Sequence, residues 1–179
     1  MFQILKEHKI EWKLQISEAR HRMCVPDNIC PWSNDMRNSG ISTTPRVKEI
    51  MDLVALDKFS DSGKSTKQQL RNHLASTFEN KKQFLRNVFA DTSQNPAFKA
   101  WTNASGVTGC LSTSTCLYSY ARDGPVLPFE LMLLQGHRRD FAIPAAMSSS
   151  RLRDLAGEGI CLPCLGTIVW ALYLTKGLP

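Results

Sequence analysis

The stretch GEGICLPCLGT, residues 157 to 167, sets Cys161 and Cys164 at a Cys-x-x-Cys spacing at the head of the most apolar run of the chain. Thiols so spaced serve redox chemistry, metal binding or plain packing. A redox dithiol wants a thiolate at a helix N-terminus just after a buried strand. The residues before this pair, RLRDLAGEG, do not read as a strand. Zinc needs four ligands. Cys161 and Cys164 would have to recruit two more from Cys24, Cys30, Cys110 or Cys116, and there is neither a second Cys-x-x-Cys nor a His pair. As packing groups, free cysteines behave as small buried hydrophobes. A second suggestive stretch, Gly63-Lys64-Ser65, looks like the tail of a phosphate-binding loop. That fingerprint requires glycine at position 58, where Lys58 stands, and no apolar strand precedes it.

The elements around these residues follow from periodicity and punctuation. Residues 1–40 mix short apolar stretches with the turn sequences VPDN, CPWSND and RNSG, which predicts one or two short strands and loops. A helix over 44–56 is predicted from Thr44 as N-cap, Pro45 in the first helical position, and Val47, Ile50, Met51 and Val54 on one face. The stretch DKFSDSGKST after it reads as a polar linker. Over 66–90, Leu70, Leu74, Phe78, Leu85, Val88 and Phe89 line one side of a single helix, with Lys67, Arg71, Lys81, Lys82 and Arg86 on a basic solvent side. GCLSTSTCLYSYARDGP, with few helix formers, reads as strands and turns. Helices are predicted again over 128–135 and 163–174, with a Ser-capped turn in SSSRLRDLAG between them.

The chain has 179 residues, enough for one domain with a true core or for part of a larger one. Its 22 Lys and Arg against 16 Asp and Glu give a formal charge of +6, which leans towards a polyanionic partner such as nucleic acid. The start, MFQILKEHKIEWK, is charged from Lys6 and lacks an apolar segment followed by a cleavage site. The expectation is therefore no secretory signal, a nuclear or otherwise intracellular protein, reduced cysteines and an idle glycosylation sequon at Asn103. Residues 159–175 carry no charge, the lower edge of what spans a membrane. Gly159, Pro163 and Gly166 interrupt the run, which fits a buried helix better, so no membrane is expected.

The stretch VLPFELMLLQGHRRDFAIP, residues 126–144, resembles a motif near the C-terminus of C5-cytosine DNA methyltransferases, Leu-Thr-Pro-x-Glu-x-x-x-Leu-Gln-Gly-Phe-Pro-x-x-Phe. Pro128, Glu130, Leu134, Gln135, Gly136 and Phe141 match without a gap, and Asp140 sits where the family often has Asp. Leu127 replaces Thr, and His137-Arg138 replaces Phe-Pro. About twenty residues on, GEGICLPC is similar to the family's second closing motif, Gly-Asn-Ser-Val-x-x-Pro-x, with Gly157, Ile160 and Pro163 in frame and Glu158 in place of Asn. A third stretch, Glu18 to Arg22, resembles Gln-x-Arg-x-Arg.

The resemblance implies an α+β chain carrying a partial α/β methyltransferase fold. Residues 1–24 would be a remnant of a catalytic-domain strand with the Arg-x-Arg motif, 25–120 a target-recognition-like region, and 121–179 the closing motifs returning to the catalytic domain. It implies that Arg20 and Arg22 contact DNA, that Pro128, Glu130, Gln135 and Gly136 brace the recognition region, and that Gly157, Glu158 and Pro163 close the S-adenosylmethionine side. The family's nucleophile lies in a Pro-Cys-Gln loop. In this chain Cys30 precedes Pro31, and Pro163-Cys164 is followed by Leu165. No Gly-rich cofactor loop is present either, and half a catalytic domain cannot build the closed pocket for a flipped base. The chain is thus expected to be inactive alone, its partners being DNA and the missing N-terminal half. The alternatives are a noncatalytic nucleic-acid-binding or protein-interaction remnant and a small membrane-anchored basic protein.

Overall fold

The computed structural model describes residues 13–23, 25–26, 28–37, 40, 44–60, 67–93 and 110–175. The Gly63-Lys64-Ser65 stretch, Cys24 and Asn103 lie outside them. The architecture is mixed, with helices and one small antiparallel sheet, and the chain divides into two compact units. The first comprises residues 1–109 with 116–125; the second comprises 110–115 with 126–179.

In the first unit, helix α1 covers 13–22, α2 Pro45–Ser60, α3 Lys67–Ala75 and α4 Phe78–Phe84. Strands β1 (Phe89–Asp91), β2 (Leu117–Ser119) and β3 (Gly124–Pro125) pair antiparallel in that order, with Ala90 opposite Tyr118 and Ser119 opposite Gly124. Helix α2 begins as its sequence predicts, the Thr44 carbonyl accepting the Lys48 N–H at 3.1 Å and Pro45 opening the first turn. It is buried nearly all round. Val47, Ile50, Met51, Val54, Ala55 and Phe59 join the main core with Trp32, Leu85, Val88, Ala90, Tyr118 and Tyr120, while Leu53 packs on Ile16 and Ala19 of α1.

Three sequence expectations are corrected here. Residues 13–22 are helical where short strands were predicted, because Ile16 and Ala19 share a face that Leu53 covers. The first residues of the predicted linker are helical: Asp57 to Ser60 complete α2, and the buried Phe59 ring stacks on His73 at 5.1 Å and lies 5.5 Å from Phe84. The single helix predicted over 66–90 is broken at Ser76–Thr77 and ends at Phe84, with Phe89 and Ala90 in strand β1 instead. Ser76 Oγ donates back to the His73 carbonyl at 2.7 Å, and Thr77 caps α4 by accepting the Asn80 N–H at 3.3 Å. Both hydroxyls compete with the helical ladder at its weakest point. The basic side divides too: Arg71 and Arg86 are exposed, whereas Lys81 is buried and paired with Asp35 at 2.9 Å.

A polar network runs through this core. The Trp32 indole N–H donates to the Tyr118 hydroxyl at 2.8 Å, and that hydroxyl donates to Asp123. Asp123 also accepts the Arg37 N–H at 3.0 Å and holds the left-handed corner, φ 51°, of the turn into β3. The Asp52 carboxylate on α2 accepts the N–H groups of Trp32 and Ser33 at 2.8 and 2.9 Å and the Ser33 hydroxyl at 2.5 Å. Burial holds the Tyr118 phenol well above its ordinary range, with the bond to Asp123 adding to it.

The second unit contains α5 (Pro128–Leu134), α6 (Ser149–Glu158) and α7 (Leu162–Leu174). Helix α6 is ten residues rather than a single turn, capped by Ser148 accepting the Arg151 N–H at 3.2 Å. Leu131, Met132, Leu152 and Ala156 are its buried apolar residues from α5 and α6. No residue of α7 is buried. The stretch Ser149–Leu174, 26 residues, is long and apolar enough to cross a membrane by length and composition alone.

Burial raises the Asp52 carboxyl above its ordinary 3.8, assisted by the charge of Glu49 and opposed by the bonds from Ser33 and Trp32. A carboxyl raised by folding holds its proton more tightly when folded. Its stabilising contribution is therefore complete below 3.8 and is lost as pH rises through the folded value. Asp52→Asn keeps an acceptor for the two N–H groups and should flatten this part of the pH dependence. Asp52→Ala leaves them unpaired and should cost about 2–4 kcal/mol at neutral pH. Denaturant unfolding of both variants from pH 3.8 upward checks this.

Candidate functional site

The two stretches that resemble the methyltransferase motifs meet in the second unit. Helix α5 starts with Pro128 in its first position, and Glu130 reaches back so that its Oε2 accepts the Leu127 N–H at 2.7 Å. This is half of a capping box; the other half needs a side-chain oxygen at position 127, which leucine lacks. At the other end, the Gly136 N–H donates to the Leu133 carbonyl at 2.9 Å and the His137 N–H to the Met132 carbonyl at 3.2 Å. These two bonds make a Schellman turn, whose corner residue must be left-handed. Gly136 supplies it with φ 90°.

Gln135 joins this turn to the second motif. Its side-chain Nε2 donates to the Ala156 carbonyl at 2.7 Å and to the Gly159 carbonyl at 3.3 Å, while its own carbonyl accepts the Leu162 N–H at 2.8 Å. The last carbonyls of α6 and the first N–H of α7 have no partner inside their own helices. One buried residue at the end of α5 therefore pairs backbone groups at two further helix ends. A Cβ on Gly136 would collide with the Pro163 ring, so the left-handed corner and the proline of the second motif are in direct contact. A Cβ on Gly157 would strike the backbone of Ser112 and Thr113, which sits in a turn closed by the Thr115 N–H on the Ser112 carbonyl at 2.9 Å. Sequence reasoning missed this wall. Its one signal is a glycine inside α6, where alanine would otherwise be favoured.

The remaining predicted positions separate. Arg20 is buried on α1; its Nε and Nη2 bond the Glu49 carboxylate at 3.2 and 2.8 Å, and Nη1 bonds the carbonyls of Pro26 and Ile29 at 3.2 and 2.9 Å. Arg22 is exposed. Residues two apart on a helix point to different sides, so a helical Arg-x-Arg cannot present both guanidinium groups to one surface. Glu158 is exposed at the C-terminal end of α6, the negative end of its dipole. The contacts of Gln135 and Gly136 just described run to the second motif. Arg138 and Asp140 form an exposed bidentate pair at 3.0 and 2.8 Å.

Among the described residues, no three of His, Cys, Asp and Glu are grouped to hold a metal ion. The described cysteines are all free thiols. Cys30 is not an activated nucleophile: burial pushes its thiol up, and the charge of Asp52 adds to that. Cys161 is the N-cap of α7 and Cys164 lies in its first turn, exposed. Comparison with family models, with curated proteins and with solved structures returns no match.

The contacts of Gln135, Gly136 and Leu127 give graded expectations. Gln135→Ala should destabilise the junction by about 1–3 kcal/mol, the ordinary cost of leaving buried carbonyls unpaired. Gln135→Glu should be worse, since a carboxylate cannot donate and faces two carbonyl oxygens. Gly136→Ala should cost about 2–4 kcal/mol, from the left-handed corner and the collision with Pro163. Leu127→Thr completes the capping box and should stabilise by about 1 kcal/mol. Hydrogen exchange of the amides of α5 and α6 in the four variants reads the order.

Proposed function

We propose that this chain is the C-terminal part of a C5-cytosine DNA methyltransferase-like protein, contributing DNA target recognition and the closing motifs of the catalytic domain. The observation that carries the reading is the junction of Gln135 and Gly136 with the stretch from Ala156 to Pro163. Three of the residues shared with the family's two motifs stand where backbone geometry or hydrogen bonding leaves little freedom, while Leu134 and Ile160, also shared, are exposed. Gly136 is needed for its φ, Gln135 for its amide, Gly157 for a close backbone approach.

The uncovered α7 supports the same reading. A helix that is apolar all round is normally buried in a larger core or a bilayer. Its 13 residues span about 20 Å, short of the hydrocarbon thickness of a membrane. The preceding helix brings Arg151, Arg153, Asp154 and Glu158. Both facts favour protein over lipid, namely a chain bearing the nucleophile and cofactor loops.

S-adenosylmethionine belongs to this reading through that second chain. The positions of this chain assigned to it do not fit by themselves. Gly157 is closed off by Ser112 and Thr113, and the Glu158 carboxylate would face an anionic ligand group with a like charge. No catalytic step is therefore assigned to these residues, and this chain alone should transfer no methyl group. On the DNA side, Arg22 is the contact of the Arg-x-Arg pair, with Arg20 bracing α1 on α2.

The formal charge of +6 predicts binding to duplex DNA mainly through phosphates. Affinity measured by fluorescence anisotropy should fall steeply as salt rises, and Arg22→Ala should lower the logarithmic salt slope by roughly one contact. Binding indifferent to salt, or no binding at low salt, overturns the DNA role. Flotation of the chain with lipid vesicles, in preference to DNA, would favour the membrane-anchored alternative.

A further inference from the structure

We propose that Cys161 and Cys164 form a reversible intrachain disulfide in response to a hydroperoxide, making the head of α7 a thiol modification site. The methyltransferase reading leaves both thiols without a role, and the inference does not depend on it.

The geometry rests on where the two residues stand in the helix. Cys161 is the N-cap of α7, Leu162 and Pro163 are its first two residues, and Cys164 is the third. The N-cap and third positions are those whose groups meet in a capping box, because the cap side chain folds over the first turn. Here both carry sulfur. The Cys161 side chain makes no capping hydrogen bond, so nothing in the helix end competes for it. Cys161 beside it raises the Cys164 thiol, first through their hydrogen bond and then through charge. Their hydrogen bond sets the two sulfurs side by side, as closure requires. Cys164 is exposed and Cys161 half-buried, so a small oxidant reaches both.

The surroundings hold this pair in place. Leu162, between the cysteines, is tied by its N–H to the Gln135 carbonyl, and Pro163 lies against Gly136. The backbone bracketed by the two thiols is thus fixed from outside α7. The residues before the pair are helix α6 rather than a strand. This separates the pair from a redox catalyst built on a strand-to-helix turn, but disulfide closure needs only two adjacent sulfurs. The other described cysteines lack such a neighbour within a helical turn: Cys30, Cys110 and Cys116 lie in separate segments of irregular structure.

The chemistry balances with the hydroperoxide as sole oxidant. The Cys161 thiolate attacks the terminal peroxide oxygen. The O–O bond breaks, the leaving alkoxide or hydroxide takes a proton, and Cys161 becomes a sulfenic acid. Cys164 then loses its proton and attacks the Cys161 sulfur. The S–O bond breaks, water leaves, and the disulfide forms. Two thiols are oxidised by two electrons while the peroxide is reduced to water and an alcohol, or to two waters. A small dithiol reverses the change by exchange.

The test uses the full chain, hydrogen peroxide as the probe, and mass spectrometry after thiol alkylation. Cys161 and Cys164 should lose alkylation together, with the peptide spanning them lighter by two hydrogens. Once Cys161 is oxidised Cys164 should follow without a detectable lag, because closure by an adjacent thiol is effectively unimolecular. Dithiothreitol should restore both. Cys164→Ser should leave a sulfenic acid at Cys161 that dimedone traps, and Cys161→Ser should slow oxidation of position 164 to the rate of Cys110. Loss of Cys161 alkylation while Cys164 stays alkylated, or a wild-type chain that accumulates only intermolecular disulfides, overturns the proposal. Neither result bears on DNA binding, so failure here and failure of the methyltransferase reading remain distinct.

Discussion

The second unit depends on the side-chain amide of Gln135. A helix end is a set of backbone groups without partners, and three such ends converge where α5 stops, α6 stops and α7 starts. Water cannot serve them all at a buried junction. A side-chain amide that donates, on a residue whose own backbone carbonyl accepts, resolves the conflict with one residue. Neither serine nor glutamate at this position reaches the same result: the first is too short, the second has nothing to donate.

The first unit obeys the same constraint in another form. Its centre is a wholly buried tryptophan, and an indole N–H is tolerated inside only with an acceptor. Tyr118 accepts that proton, hands its own to Asp123, and so ties the loop carrying Trp32 to the sheet and the turn into β3. Asp52 does for the backbone of that loop what Tyr118 does for the ring. Among the described buried side-chain atoms only the Ser60 hydroxyl lacks a hydrogen-bond partner. The core is therefore specified as much by donors finding acceptors as by the apolar faces of α2.

Local signals in the sequence were legible where the chain announces its own ends. Thr44-Pro45, Pro128 and Ser148 mark helix starts because capping is a short-range affair. Strands β2 and β3 and their turn were legible in the run of Ser, Thr and Tyr before Gly124, whereas β1 was read as the end of a helix. The break at Ser76–Thr77 was hidden, since Leu70, Phe78 and Leu85 keep a helical rhythm across it while the deciding bonds come from two hydroxyls. Phe59 was hidden in a polar stretch because its stacking partners, His73 and Phe84, lie on later helices. Of the junction, the sequence displayed Gln135, Gly136, Gly157 and Pro163 as a resemblance. It did not display that they touch, because each contact joins positions more than twenty residues apart.

The contact of Gly136 with Pro163 has a consequence for how this chain can change over evolutionary time. The direction in which α7 sets out is fixed by a left-handed glycine before the helix and a proline ring in its first turn, ahead of its long apolar stretch. Its exposed leucines, isoleucine and tryptophan are then free to be exchanged for other apolar residues without redirecting it. Drift should run fast along the helix and slowly at its root. Heading and adhesive surface are inherited separately, so a lineage can alter what the helix adheres to while keeping where it points.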